Sequence, residues 1–325
     1  MHSFDEIVEK LGSLRRIVVT SHVAPDADAV CSATALALAF RILKREAVVY
    51  LRDEIPEKLS LLHPQVSAVA TVPEQDFDGV VILDTASKRR VGSEVDQLLA
   101  RGKVSINIDH HLSNDKWADI NFVDASACAS AAIVYRLLTR LGVTLDQGLA
   151  DLLFAGILDD TGCFRFGNTT PEALQIASDL VRAGASPSRV ANLLYFSLPA
   201  RVLRLRGMAM DSLRLLENGL VAIVVVPRQM VQASGAKDSD CEGLIDEVRS
   251  IEGTICSVLI RELEDGWKIS LRSKDERLNV NNIAAEFGGG GHAAAAGCRI
   301  VGKLADVETK LFPQIKRALD KLTGV

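Results

Sequence analysis

Apolar runs rich in β-branched residues alternate with helical patterns along the first half of the chain. The runs predict four strands, at residues 15–22, 47–52, 79–86 and 103–111. The segments between them include two helical patterns, at residues 32–46 and 91–102. Strands that are apolar along their whole length and are separated by helices are typical of a parallel sheet with helices on both faces. Two further helices are predicted at residues 125–142 and 145–160.

A different pattern occupies the second half. Residues 168–219 have a helical pattern that is interrupted at Pro187 and Pro199. Three strands with short turns between them follow, at residues 219–227, 254–263 and 267–273, and the chain closes with a Lys-rich helix. We therefore predict an α/β protein with a parallel-sheet domain, a helical connector and a smaller mixed-sheet α/β domain. The predicted boundaries are residues 1–190, 191–215 and 216–325.

Composition narrows the class of protein. Hydrophobic residues make up 48% of the 325 residues and charged residues 24%, which is ordinary for a soluble globular protein of about two domains. The net charge of −5 disfavours a protein that coats long duplex nucleic acid. The six cysteines form no C-x-x-C pair, which is typical of reduced thiols in the cytoplasm. Because no apolar run approaches the length of a membrane span, we expect no membrane partner.

Acidic residues and histidines gather where the predicted strands and one helix end. These residues are His22, Asp26, Asp28, Asp84, Asp109, His110, His111 and Asp160. The carboxyl ends of parallel strands meet at one edge of a sheet, so these side chains are expected to converge although they are distant in sequence.

Imidazoles and carboxylates without thiolates favour hard or borderline divalent ions, Mn²⁺ first and then Mg²⁺ or Co²⁺, over a structural zinc. Two such ions can activate a water for attack at phosphorus, and Asp84 is the candidate to bridge them. Each feature alone has a simpler explanation, because a D-x-D pair is more often a turn or a helix cap and Asp84 could also be a cap. Their joint occurrence at element ends favours a metal-dependent hydrolase.

The order and the sequences of four segments resemble the motifs of the DHH phosphoesterase family. The family is named for an Asp-His-His triplet, which here is Asp109-His110-His111. The segments read SHVAPDADAV, ILDTA, NIDHH and LDDTGCFRF. The second half, with SLRS and FGGGGHAAAAG, is similar to the DHH-associated domain of that family. Together the likeness covers almost the whole chain.

The resemblance implies individual roles in the first domain. His22, Asp26 and Asp84 would hold one Mn²⁺, and a second would be held by Asp28, Asp84, His110 and Asp160. Asp109 would orient the neighbouring histidines, and His111 would contact the scissile phosphate. Asp159 stands where a neutral residue is common in the family, so the ligand role is given to Asp160 alone.

The second domain is expected to bind the rest of the substrate. Consecutive glycines let a backbone approach a ligand closely, and their amides can form an anion-binding concavity. Positively charged donors on either side would grip a phosphate held away from the metals. The residues expected to do so are Arg272, Ser273, Gly289, Gly290, Gly291 and His292. The simpler interpretation of the glycine run is a flexible turn before the last strand.

Within the family, the resemblance is closest to nanoRNases that also act as pAp phosphatases. It implies exonucleolytic hydrolysis of short oligoribonucleotides to mononucleotides, hydrolysis of 3′-phosphoadenosine 5′-phosphate (pAp) to AMP, or both. Hydrolysis of cyclic di-AMP or pApA, and of short single-stranded DNA, stays open. A catalytically silent nucleotide-binding regulator is the remote alternative, and it would be favoured by loss of a metal ligand. The partners implied are short RNA or a mono- or dinucleotide, and a homodimer through the first domain is compatible with the likeness.

Overall fold

The computed structural model describes residues 2–62, 68–241 and 243–323. The chain divides into two compact units, Met1–Ser197 and Leu198–Val325, here called unit 1 and unit 2. Every helix among the described residues is too short or too polar to cross a membrane.

Unit 1 is built on a parallel sheet. Its strands are β1 (Arg16–Thr20), β2 (Glu46–Val49), β3 (Gly79–Leu83), β4 (Ser105–Asp109) and β5 (Ile120–Val123). Its helices are α1 (Phe4–Ser13), α2 (Ala27–Ile42), α3 (Glu57–Ser60), α4 (Val95–Leu99), α5 (Ser130–Arg140), α6 (Gln147–Asp160), α7 (Pro171–Arg182) and α8 (Pro187–Tyr195), and a 3₁₀ helix covers Lys88–Arg90. The first four strands confirm the prediction. The fifth was not predicted, because polar Asn121 interrupts its short apolar run.

The five strands pair in parallel in the order β2-β1-β3-β4-β5. The main core lies on one face, where α2, α5 and α6 pack, and a smaller core with α4 lies on the other. Residues 27–40 of α2 are all buried, because the helix is sandwiched rather than amphipathic. The strand order reverses between β1 and β3, and in open α/β sheets ligands bind at the carboxyl ends of strands at such a point.

Unit 2 contains a separate mixed sheet, which confirms the predicted fold class. Its strands are β6 (Arg214–Leu216), β7 (Val221–Val226), β8 (Cys256–Leu263), β9 (Gly266–Ser273), β10 (Gly290–Gly291) and β11 (Ala295–Ile300). Its helices are α9 (Ala200–Met210), α10 (Arg228–Ser234), α11 (Leu244–Arg249), α12 (Val280–Ala285) and α13 (Leu304–Thr323). The strand order is β10-β11-β9-β8-β7-β6, and only β7 and β8 pair in parallel.

The segment predicted as a connector is divided between the two units. Helix α8 packs against α6 in unit 1, and α9 packs against β7 and α10 in unit 2. Pro187 occupies the first turn of α8 and Pro199 the N-cap position of α9, so both prolines start helices, where a missing backbone N–H costs nothing. That the first domain carries the catalytic residues and the second binds substrate stays a prediction.

Candidate active site

All eight predicted residues of unit 1 lie together at the carboxyl edge of the parallel sheet. They form three overlapping groups in which one ligand atom from each residue lies within 4.8 Å of the others. The groups are His22, Asp26 and Asp84; Asp28, His110 and Asp160; and Asp84, Asp109, His110 and His111. Asp84 and His110 each belong to two groups, so the set is one continuous cluster.

The loop after β1 supplies the first group. Ser21 Oγ donates to Leu83 O at 2.8 Å and ties this loop to the end of β3. His22 Nδ1 lies 2.9 Å from Val23 O, and its Nε2 lies 3.4 Å from Asp84 Oδ2. Asp26 is the N-cap of α2 and accepts from Ala29 N at 3.0 Å through Oδ1. Its other oxygen lies 3.8 Å from His22 Nε2, so one carboxylate both caps a helix and belongs to the cluster.

Asp28 lies fully buried in the first turn of α2. Its two carboxylate oxygens accept hydrogen bonds from Ser130 N at 2.6 Å and from Ala131 N at 2.8 Å, at the start of α5. Helix α6 passes so close that a Cβ at Gly156 would lie 2.6 Å from Asp28 Oδ1. Three helices therefore fix this carboxylate, and the N-terminal end of α5 stabilises its negative charge.

Asp84 follows β3 and lies at the centre of the cluster. Its φ of 54° is in the left-handed region, which is strained for a residue with a side chain. Its Oδ1 lies 3.3 Å from His110 Nε2 and accepts from Ser130 Oγ at 3.1 Å, while its Oδ2 faces His22. The two oxygens therefore point into different groups, which is the arrangement that a bridging ligand requires.

Asp109 holds the histidine pair. The carboxylate is fully buried, and its Oδ1 accepts from His110 N at 2.8 Å and lies 2.7 Å from His111 Nδ1. Asn114 Nδ2 donates to Asp109 Oδ2 at 2.7 Å and to Asn107 Oδ1 at the same distance. A carboxylate beside Nδ1 keeps the proton on that nitrogen and leaves Nε2 of His111 for other contacts.

Asp160 ends α6, and its Oδ2 lies 3.2 Å from His110 Nε2. Asn168 Nδ2 donates to Asp160 O at 3.0 Å and fixes the end of the helix. The preceding acid, Asp159, accepts from Tyr195 OH at 3.0 Å. Burial and the charge of Asp159 together raise the pKa of the tyrosine.

The electrostatics of the cluster fit bound cations. Burial, together with repulsion from Asp84, raises the pKa of Asp28 and of Asp160 well above the usual range. Burial would also raise the pKa of Asp84, but hydrogen bonds with His110 and His22 outweigh it and hold that pKa well below its ordinary value. The hydrogen bond with Asp84 and the charge of Asp160 overcome the effect of burial on His110 and raise its pKa to about 11. Buried carboxylates that repel one another need positive charge among them, and oxygen and imidazole donors suit hard or borderline divalent ions.

Two supporting residues were not predicted from the sequence. Ser130 contacts both Asp28 and Asp84, and Asn114 contacts Asp109. For Asn114, the one feature of the sequence that could have indicated a supporting role is its position five residues after Asp109. Ser130 lies 46 residues from Asp84 and 102 from Asp28, so only the fold brings these groups together.

In unit 2, the two predicted residues on β9 have different surroundings. Arg272 is half-buried, and burial lowers the pKa of its guanidinium. Its Nη1 donates to Leu271 O at 3.1 Å. Ser273 is buried, and its hydroxyl donates to Asp275 O at 2.8 Å and accepts from Asp275 N at 3.1 Å. The Ser273 hydroxyl therefore stabilises the turn after β9, and its contact with substrate stays a prediction.

The glycine run packs against β11. A Cβ at Gly289 would lie 2.2 Å from Gly297 O, and one at Gly291, whose φ is +151°, would lie 2.4 Å from Ala295 O. A Cβ at Gly290 would have only Asn281 Oδ1 nearby, at 3.7 Å. Close approach of two backbones therefore explains two of these glycines. Gly290, Gly291 and His292 are exposed, and their contact with substrate stays a prediction.

Comparisons with known proteins cover both units. Residues 16–157 match the family model described as "DHH family, N-terminal domain", and residues 218–322 match the DHHA1 domain. The bifunctional oligoribonuclease and PAP phosphatase NrnA of Thermus thermophilus is 35% identical over 88% of this chain and 84% of its own length. The protein of the same name from Bacillus subtilis is 30% identical over 94% of this chain and 97% of its own. The crystal structure of an exopolyphosphatase-related protein from Bacteroides fragilis, 24% identical, has the same fold, with a TM-score of 0.89 over 98% of this chain and 95% of that one.

Proposed function

The chain belongs to the DHH phosphoesterase family, and on that premise we propose that it hydrolyses short oligoribonucleotides to mononucleotides and pAp to AMP. The motif resemblance predicted this family. The relatives from Thermus thermophilus and Bacillus subtilis, which match over most of their length, carry both activities in their names. The observation that carries the proposal is the continuous cluster of histidines and aspartates around Asp84.

Two divalent cations would be held by the groups that meet at Asp84. The first would be bound by His22, Asp26 and Asp84, and the second by Asp28, Asp84, His110 and Asp160. Bound there, they would lower the pKa of a water and offset negative charge on the phosphate. We propose Mn²⁺ first, with Mg²⁺ or Co²⁺ as substitutes, because the donors are carboxylates and imidazoles.

Residues of the chain itself would orient the scissile phosphate and offset its developing charge. Asp109 would hold the proton on His111 Nδ1, so that the ring presents one face and one nitrogen to the phosphate. His111 would contact the scissile phosphate and stabilise its developing charge, and with a proton on Nε2 as well it would pass that proton to the leaving oxygen. Asn114 would keep Asp109 in place through its hydrogen bond to Oδ2.

The predicted binding residues of unit 2 would hold the part of the nucleotide that does not react. Arg272 and His292 would donate to a phosphate, and the exposed glycines Gly290 and Gly291 would let it approach the backbone closely. A net charge of −5 disfavours long nucleic acids and agrees with a substrate of a few nucleotides. We further propose a cytoplasmic location and a homodimer formed through unit 1.

A substrate panel with Mn²⁺ tests this function. The substrates are pAp, short RNA, short DNA, pApA and cyclic di-AMP, each assayed after EDTA treatment and again after Mn²⁺ or Zn²⁺ is added back. We expect pAp and short RNA to be hydrolysed fastest, EDTA to stop turnover, and Mn²⁺ to restore it better than Zn²⁺. Faster hydrolysis of cyclic di-AMP or short DNA would favour those alternatives. A folded protein that hydrolyses none of the five would contradict the proposal.

A further inference from the structure

A basic turn lies beside the cluster of unit 1 and takes no part in the site described above. Lys88, Arg89 and Arg90 form a 3₁₀ helix that starts four residues after Asp84. The two arginines are exposed and the lysine is half-buried. The turn therefore leaves the sheet at the edge where the candidate metal ligands lie.

Two backbone hydrogen bonds fix this turn between the loops that carry the site histidines. Val23, in the loop after β1, donates through its N–H to Arg90 O at 2.7 Å. Asp115, in the loop after β4, donates through its N–H to Ala86 O at 3.0 Å. Because the turn is held from both sides, its backbone lies at the rim of the cluster, and the two arginines that it carries are exposed to solvent there.

The two arginines carry positive charge that no acid pairs with among residues 2–62, 68–241 and 243–323. The acids that follow them in sequence pair with other cations. Glu94 Oε2 lies 3.3 Å from Arg52 Nε, and Asp96 Oδ1 lies 2.5 Å from Lys88 Nζ. In a chain with a net charge of −5, two unpaired guanidinium groups at the rim attract an anion to this place. Guanidinium groups bind phosphate with two parallel hydrogen bonds, so a phosphate is the anion that they fit best.

We propose that Arg89 and Arg90 bind the phosphodiester next to the scissile one in an oligoribonucleotide, and so favour substrates of three or more nucleotides. This inference rests on the proposed function. In pAp, one phosphate reacts and the other is assigned to Arg272 and His292. A 5′-phosphorylated trinucleotide carries three phosphates, one more than pAp, and this additional group, a second phosphodiester, needs a cation of its own.

The test compares pAp, pApA and pApApA with the wild type and the double variant Arg89→Ala/Arg90→Ala. Loss of charge-assisted hydrogen bonds to one phosphate should raise KM for the trinucleotide about 10-fold. KM for pAp should stay within about twofold, because pAp lacks the phosphate concerned. The difference between wild type and variant on the trinucleotide should shrink as KCl is raised, since salt screens exposed charges.

Two further double variants serve as controls. Arg89→Lys/Arg90→Lys keeps the charge and should retain most of the trinucleotide affinity. Arg15→Ala/Arg101→Ala removes the same charge from two exposed positions that precede β1 and β4, at the opposite edge of the sheet, and should change neither KM. The carbonyl of Arg90 that holds Val23 is kept in every variant, and thermal unfolding checks that each one folds.

The outcomes separate this inference from the function on which it rests. Equal losses on pAp and on the trinucleotide, no loss on either, or the same loss in the Arg15/Arg101 control would overturn the role of the rim arginines alone. A wild type that hydrolyses pAp but not the trinucleotide would overturn it as well. A wild type that hydrolyses none of the three substrates would remove the proposed function, and this inference with it.

Discussion

The two units present their candidate residues in opposite ways. In unit 1 the acids are mostly buried and are held by neighbours, as Asp28 is by the start of α5 and Asp109 is by Asn114. In unit 2 the glycine run and His292 are exposed, and Arg272 is half-buried. The first arrangement fixes positions before any ligand arrives, and the second places its candidate residues at the surface. We therefore expect changes in unit 1 to act on kcat and changes in unit 2 to act on KM or on stability.

The largest effect is expected at Asp84. Asp84→Asn keeps the shape of the side chain, and asparagine tolerates the left-handed backbone, so the variant removes the charge and one of the two acceptor oxygens without a change of shape. Metal ions supply several kcal/mol of transition-state stabilisation, and kcat should therefore fall about 10³-fold or more. Steady-state kinetics measure the loss, and circular dichroism confirms the fold. Substantial residual turnover in the folded variant would remove Asp84 from the centre of the site.

A smaller loss is expected at Asn114, whose side chain donates to Asp109 in the cluster. Asn114→Ala should lower kcat by about 10–100-fold with KM nearly unchanged, as is usual when a supporting hydrogen bond to a metal site is lost. Asn121→Ala is the matched control, because Asn121 is also buried and the hydrogen bonds of its side chain within the described part of the chain both go to the backbone of Ala118. Equal losses of kcat in both variants would mean that general destabilisation, and not the position of Asp109, is responsible.

In unit 2, Arg272→Ala should act on binding. Removal of a charge-assisted hydrogen bond to phosphate should raise KM about 10-fold and leave kcat almost unchanged. Arg277→Ala provides the comparison, since Arg277 is exposed and its guanidinium pairs with Asp275 at 2.6 Å. A fall in kcat at constant KM for Arg272→Ala would place this residue with the reacting groups and would end the contrast between the units.

The glycine run is expected to affect turnover least, and its two interpretations, as a packing turn or as a binding segment, can be distinguished by stability measurements. Gly289→Ala forces a methyl group against the backbone of β11 and should cost about 1–3 kcal/mol of unfolding free energy. Gly290→Ala meets no backbone within 4 Å and should leave the melting temperature unchanged. Differential scanning calorimetry measures both. If Gly290→Ala destabilises as much as Gly289→Ala, the run serves packing throughout and its binding role loses support.

Sequence patterns predicted the elements that have strong side-chain signals. The strands that lead to His22, Asp84 and Asp109 carry runs or alternations of Val, Ile and Leu, so their ends, and therefore the convergence of the acids, could be predicted. The two residues of β10 are glycines without side chains, and their pairing with β11 depends on backbone contacts that no periodicity reveals.

Supporting contacts in the site were harder to predict, for a related reason. Asp26 was open to two interpretations, as a helix cap or as a member of the cluster, and its two oxygens serve both. The hydrogen bonds from the start of α5 to Asp28 join residues about a hundred positions apart and depend on how three helices pack. Such contacts become visible only when the fold is known.

Anomalous scattering from crystals grown with Mn²⁺ would show whether the cluster of unit 1 binds a pair of metal ions. We expect two peaks, one bounded by His22, Asp26 and Asp84 and the other by Asp28, His110 and Asp160, with Asp84 in contact with both. Peaks elsewhere, or none in crystals of active protein, would contradict this expectation.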